Sequence, residues 1–375
     1  MSKLKRIISI LSVLAVVMFT AVACGDKKAG EFDNAKRDAE NITQDAENMT
    51  QNAEDTVQNP ENVMGGAWEQ EFSKEDAREY QVAVLKGPTA IGFIKAWEDS
   101  DNGETINKYN VTAYGAADEI TAGIAKGTID IAAVPCNLAS VLYSKTDGDI
   151  SVSAINTLGV LYMISSSDEI QSVKDLKGKT IYTTGQGTTP EYTLNYILTQ
   201  NGLTPGEDVK IEYKAEAAEA AAVMSEAEDG IAMLPQPYVS TVLMQNENMK
   251  ICLDMTEEWN KVSDEPLITG VVIARNEVIN ENKKAYDEFL KDYQASVKYV
   301  NDNVEQAAQL VEKHDIIKAA VAKSAIPNCN ITFISGEEMK KAVEAYLQVL
   351  YEANPQSVGG VVPDEHFFYR KAAQP

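Results

Sequence analysis

At 375 residues, 44% of them apolar and 24% charged, the chain is long enough for two domains with ordinary globular cores. Its 57 Asp and Glu against 33 Lys and Arg give a net charge of −24, which argues against nucleic acid and against a basic membrane-surface helix. The histidines are His314 and His366, far from any cysteine pair, so no metal site is expected, and no cofactor motif occurs.

The chain begins with a leader. Lys3, Lys5 and Arg6 precede an apolar run from Ile7 to Phe19, and Thr20-Ala21-Val22-Ala23 then leads to Cys24. A basic start, a short apolar stretch and small residues make a secretory signal peptide over residues 1–23, too short for a comfortable span. The run into Cys24 resembles the bacterial lipobox, with Ala21 where that motif usually carries Leu. The resemblance implies cleavage before Cys24 and lipid on its sulfur. An ordinary signal peptide with an incidental cysteine is the alternative. Removing the leader takes away three basic residues and makes the net charge of −24 more negative by that amount.

Residues 24–76 are polar and poor in large apolar side chains, which makes them a solvated tether. Ala39, Ile42, Ala46, Met49 and Ala53 fall at heptad spacing inside it, a thin seam for a coiled coil. The remaining cysteines, Cys136, Cys252 and Cys329, are far apart in sequence and form no C-x-x-C. They read as small buried hydrophobes.

From Gln81 the pattern alternates strand and helix. Gln81–Leu85 is β-prone, Lys86-Gly87 breaks it, and Pro88-Thr89 opens a helix in which Ile91, Ile94 and Trp97 share a face. A glycine turn into a helix aims free backbone N–H groups at one point, a seat for an anion or a carbonyl oxygen. Val111–Tyr114 is a strand, and Asp118 is the expected cap of a helix over Glu119–Lys126. Asp130–Val134 is a buried strand that turns at Pro135-Cys136-Asn137 into a helix over Leu138–Lys145; Val152–Asn156 and Val160–Ile164 are further strands. The construction then repeats. Thr180–Thr183 is followed by Gly185-Gln186-Gly187-Thr188-Thr189-Pro190 and a helix over Tyr192–Gln200, with Thr188 or Thr189 as its cap. Val209–Tyr213, a helix over Ala215–Ala227, Ile231–Leu234 with its Pro235-Gln236-Pro237 turn, and Lys250–Leu253 complete the second unit. From Ala285 onward the chain reads as mostly amphipathic helix. Alternating strands and helices imply α/β lobes, whose ligands bind beyond the carboxyl ends of the strands.

These stretches resemble the type II periplasmic solute-binding proteins of ABC importers, and within them the nitrate, sulfonate, taurine and thiamine-pyrimidine precursor group. The carriers are Leu85-Lys86-Gly87-Pro88-Thr89, Asp118-Glu119-Ile120, Gly127-Thr128-Ile129-Asp130-Ile131-Ala132, Asp175-Leu176-Lys177-Gly178-Lys179-Thr180-Ile181 and the Gly185–Pro190 turn, with Val362-Pro363-Asp364 through Phe367-Phe368-Tyr369 at the end. The resemblance implies a bilobal α/β fold of two mixed sheets with a cleft and two hinge crossings. Lobe 1 would be 77–165 plus 270–375, and lobe 2 would be 166–269. It further implies a monomeric, non-enzymatic, lipid-anchored extracytoplasmic receptor that hands a small solute to a permease and an ATPase.

Two other functions stay open. One is a ligand-sensing surface lipoprotein. The other is an enzyme like the fungal thiamine-pyrimidine synthases, which look like this fold, need iron and consume a cleft histidine; neither His314 nor His366 sits in a strand-end loop. The expected ligand contacts are Lys86, Gly87, Pro88, Thr89, Tyr114, Cys136, Asn137, Gly185, Gln186, Gly187, Thr188, Thr189 and Gln236. Cys136 faces either the cleft or the core. Tyr114 and Trp259 are candidates to stack on a ring. With a single cation and no Arg among these loops, the expected solute is neutral or carries one negative group.

Overall fold

The computed structural model describes residues 73–370. The expected leader, Cys24 as the expected lipid site, and the expected tether to residue 72 lie outside the described residues. Among the described residues, no helix is long and apolar enough to cross a membrane.

Two sheets carry the fold. The first contains β1 (Glu79–Leu85), β2 (Lys108–Tyr114), β3 (Ile131–Pro135), β4 (Ile150–Leu158), β10 (Ile268–Arg275) and β11 (Ile331–Ser335). The second contains β5 (Leu161–Ser165), β6 (Thr180–Thr184), β7 (Lys210–Lys214), β8 (Ile231–Pro235) and β9 (Lys250–Asp254). Their orders are β2-β1-β3-β10-β4-β11 and β7-β6-β8-β5-β9. The same plan appears in both. A parallel trio, β2-β1-β3 or β7-β6-β8, meets one antiparallel strand that enters from across the hinge. Helices connect the parallel strands, so β3, β5 and most of β8 are buried on both faces and read as continuous apolar runs.

The crossings follow from these pairings. β5 lies antiparallel to β8 and β9, so it belongs to the second lobe and the chain crosses at Gly159-Val160. The boundary expected at residue 165 is therefore corrected by one strand. A Cβ on Gly159 would sit 2.1 Å from Thr256 Oγ1, so the first crossing passes too close to the helix Met255–Asn260 for any side chain. The second crossing delivers β10 into the first sheet from Ile268.

One apolar cluster runs through the hinge. It takes Leu138 and Val152 from the first lobe, Met163 and Leu194 from the second, and Tyr346 and Leu347 from the helix Gly336–Ala353. Trp259 is fully buried in it, with its ring 4.9 Å from Tyr196 and 5.5 Å from Tyr346. Its indole N–H donates to Glu265 O at 2.6 Å, which makes it a core residue and removes it as a stacking platform for a solute. A second cluster, with Phe93, Tyr109, Phe289 and Tyr293 at its centre, packs the helices Pro88–Asp101 and Lys283–Asp302 on the outer face of the first sheet.

Two local expectations are corrected. The helix expected from Glu119 starts at Ala117 with Ala116 at its cap position, and Asp118 lies in the first turn, where its charge still favours the helix dipole. The C-terminal third is interrupted by β11, which lies against β4.

Candidate functional site

The carboxyl ends of β1, β2 and β3 face those of β6, β7 and β8, and a cavity of about 630 Å³ lies between them. Its first wall is Lys86-Gly87-Pro88-Thr89 with Gly115 to Asp118. Its second wall is Gly185 to Thr188 with Tyr213-Lys214-Ala215 and Tyr238. The inner end is made by the hinge strands through Thr157, Val160, Leu161, Thr269 and Gly270.

Each wall is built by a turn that its residues dictate. Gly87 has φ +148, a backbone state closed to other residues, and the helix Pro88–Asp101 starts directly after it. Thr89 folds its hydroxyl back on the preceding strand, donating to Leu85 O at 2.8 Å and accepting from Leu85 N at 3.1 Å. No side chain caps this helix and no acid stands in its first turn. In the second turn Gly185 and Gly187 both have φ +76. Thr188 occupies the cap position of the helix Thr189–Gln200, yet its hydroxyl donates to Gly185 O at 2.7 Å and leaves the helix uncapped.

The two helix starts differ in charge. Glu191 Oε2 accepts the Gly187 N–H at 2.5 Å. The chain's own carboxylate thus holds the place that a ligand anion was expected to take. Burial, with the Glu191 charge second, pushes the Tyr213 phenol well above its ordinary value. The cavity's cations are Lys86 and Lys214, one on each wall, and neither enters an ion pair among the described residues. The Lys214 ammonium lies 5.8 Å from the Tyr182 ring centre.

Of the expected contacts, Lys86, Gly87, Pro88, Thr89, Gly185, Gln186, Gly187 and Thr188 line the cavity. The others do not, each for a structural reason. Tyr114 packs its ring against the core, and only its carbonyl turns to the loop, accepting from Lys86 N at 2.8 Å. Cys136 is fully buried in the core, where burial pushes its thiol up. Gln236 is buried and accepts from Ser240 N and Oγ at 3.2 and 2.9 Å.

Asn137 and Thr189 are buried behind the cavity and tie the lobes together. Asn137 Nδ2 donates to Ser357 O at 2.9 Å and to Gly187 O at 3.4 Å, and its Oδ1 accepts from Thr189 at 3.1 Å. At the mouth, Tyr238 donates its hydroxyl to Lys86 O at 3.3 Å, and a Cβ on Gly87 would come 3.9 Å from Gln236 O. Burial, then the Glu216 charge, raises the Tyr238 phenol to about 12.

Several lining residues were missed. Lys214-Ala215 ends β7 as Tyr114-Gly115 ends β2, so the strand-end rule reaches them. Thr157, Val160 and Thr269 carry no local signal, because a hinge is defined by pairings distant in sequence. Among the described residues no group of three His, Cys, Asp or Glu side chains could hold a metal.

Paired lobes of this strand order around one cleft define the type II periplasmic-binding-protein fold. A model of the family described as menaquinone biosynthesis matches residues 111–352, and the chain belongs to that family. No curated protein matches the chain in sequence. Solved structures share the fold. A crystal structure of an ABC transporter from Parabacteroides distasonis is 24% identical with a TM-score of 0.65, over 78% of this chain and 99% of that one. The periplasmic aliphatic sulphonate binding protein SsuA from Escherichia coli is 16% identical with a TM-score of 0.63, over 79% and 94%. The periplasmic nitrate-binding protein NrtA from Synechocystis PCC 6803 is 13% identical with a TM-score of 0.56, over 75% and 84%.

Proposed function

We propose that the protein is an extracytoplasmic solute-binding lipoprotein, anchored through Cys24, that delivers a small organic solute to the permease and ATPase of an ABC importer. The observation that carries this reading is the cleft itself. Two strand-end glycine turns from separate lobes face one cavity of about 630 Å³, a size that suits a small organic molecule. The named transport proteins of like fold support it. The leader, the cysteine at its end and the polar tether would place the lobes outside the membrane and close to it, as a monomer.

The solute is neutral or carries one negative group. Lys86, Lys214 and the uncapped helix Pro88–Asp101 favour one anion, and the acids Glu191 and Asp118 in or beside the walls disfavour more. Sulfonate-type and pyrimidine-type solutes both satisfy this.

An enzymatic role is the second reading, and the description of the family model favours it. A thermal-shift screen of the purified protein against small solutes, with recovery of each hit by mass spectrometry, separates the two. A bound solute at a hundredfold over its Kd should add about 2.7 kcal/mol of stability and return unchanged. Conversion of a hit to product would instead establish the enzyme.

A further inference from the structure

One carboxylate crosses the rim of the cleft from the second lobe to the first. β2 and β7 hold equivalent places in the two sheets, and each leads by a short turn into a helix, Ala117–Lys126 in the first lobe and Ala217–Glu226 in the second. The turns differ where they face each other, with Gly115 in the first and Glu216 in the second. The Glu216 carboxylate lies on Gly115. A Cβ there would stand 2.4 Å from Cδ and Oε2 and 2.6 Å from Oε1. Gly115 is not among the glycines with positive φ, so its backbone is open to other residues. What excludes a side chain at this position is the space that Glu216 takes.

Nothing in its own lobe holds Glu216 in this pose. Its carboxylate makes no hydrogen bond or ion pair among the described residues. The Ala215 N–H beside it is taken by Glu219 Oε2 at 3.2 Å. No side chain caps either helix, so two positive helix ends come together at the rim with the carboxylate between them. Asp118 in one first turn and Glu219 in the other offset part of that charge.

The location ties this contact to closure. The hinge strands join the lobes at the inner end of the cavity, and Asn137 bonds Gly187 and Thr189 behind it. Opening about that hinge separates the rim furthest. Tyr238 crosses the same rim, donating to Lys86 O at 3.3 Å, and the Glu216 charge reaches its phenol. Ala215 and Ala217 line the cavity, whereas Glu216 between them is exposed and turns to the opposite lobe.

We propose, on the binding-protein reading above, that Glu216 is a latch of the closed cleft. Its carboxylate seats on Gly115 when the lobes come together, and it favours the closed arrangement whatever solute lies inside. Glu216 is thus a positioning residue for closure and Gly115 is its seat.

The test measures the distance between the lobes by electron–electron resonance. The full chain carries Cys24→Ser and Cys252→Ser, with spin labels on Lys126→Cys and Glu226→Cys. Cys136 and Cys329 are buried and stay unlabelled. Glu216→Ala should raise the population at the longer distance about threefold, within what one charge at a helix end contributes. Gly115→Ala should do the same, because its Cβ occupies the seat. The double variant should add nothing to either single one, as for two partners of one contact. All three stay folded, since one change trims an exposed side chain and the other displaces only its flexible end. Distances unchanged in Glu216→Ala overturn the inference. So do effects that multiply in the double variant, which would make the two residues independent. Neither result touches the solute-binding reading, which rests on the screen. Binding of no solute in that screen would remove the reading and this role with it.

Discussion

Glu191 decides the electrostatics of the second glycine turn. Sequence spacing marks the turn and the helix behind it, and Gly185, Gln186, Gly187 and Thr188 do line the cavity. The spacing does not show that a first-turn carboxylate will curl back onto Gly187 N–H, because that depends on a rotamer. The same limit applies to Asn137 and Gln236, whose amides turn inward to bond other parts of the chain. Glu191→Ala should reopen the anion seat. Methanesulfonate should bind about fivefold more tightly, from roughly 1 kcal/mol of helix-terminus attraction no longer cancelled. The Tyr213 phenol should also titrate lower in an absorbance titration, since Glu191 adds to the burial that raises it. Unchanged affinity together with unchanged tyrosine titration would show that the carboxylate does not govern this turn.

At the scale of elements, the parallel strands and their helices were legible because each is a β-prone run closed by glycine or proline and followed by a 3.6-residue period. β10 and β11 were not. β10 carries Gly270 in its interior, and β11 is five residues set between helices, so neither differs locally from a loop. Their place is set by β4, which both of them flank.

A charge cluster joins two of the helices. Glu98 of the helix Pro88–Asp101 accepts from Lys313 at 2.6 Å and contacts His314 Nε2 at 2.9 Å. The Lys313 bond, with His314 adding to it, holds the Glu98 carboxyl down at about 2, from an ordinary value of 4.5. A carboxyl lowered by folding contributes stability above its unfolded pKa and loses it as pH falls through the folded one. Glu98→Gln should therefore melt below wild type at pH 7. The gap should close as pH falls from about 4.5 towards 2. Melting curves at several pH values check this, and a gap independent of pH would mean that Glu98 acts through packing alone.

At the scale of the whole molecule the two lobes repeat one strand order and exchange one strand each across the hinge. That exchange makes the crossings short and places Gly159 against Thr256. Gly159→Ala should cost about 1–3 kcal/mol, since a Cβ would collide with Thr256 Oγ1 at 2.1 Å. Chemical denaturation would measure it, and an unchanged midpoint would show that the hinge yields freely. The bilobal plan and the glycine turns could be read from the sequence. The floor of the cleft could not, because it is assembled from two crossings more than a hundred residues apart.

The central claim is that the cleft between these lobes binds the solute, and Gly87 tests it most directly. Its φ of +148 strains any branched side chain, and its Cβ position, 3.9 Å from Gln236 O, would aim that side chain into the mouth of the cleft. Gly87→Val should stay folded, losing about 1–3 kcal/mol to backbone strain. Calorimetric titration with the solute that stabilises wild type most should show an affinity at least about tenfold weaker, or about 1.4 kcal/mol. A folded variant that binds this solute as tightly as wild type would contradict the account, and would place the solute somewhere other than the cleft.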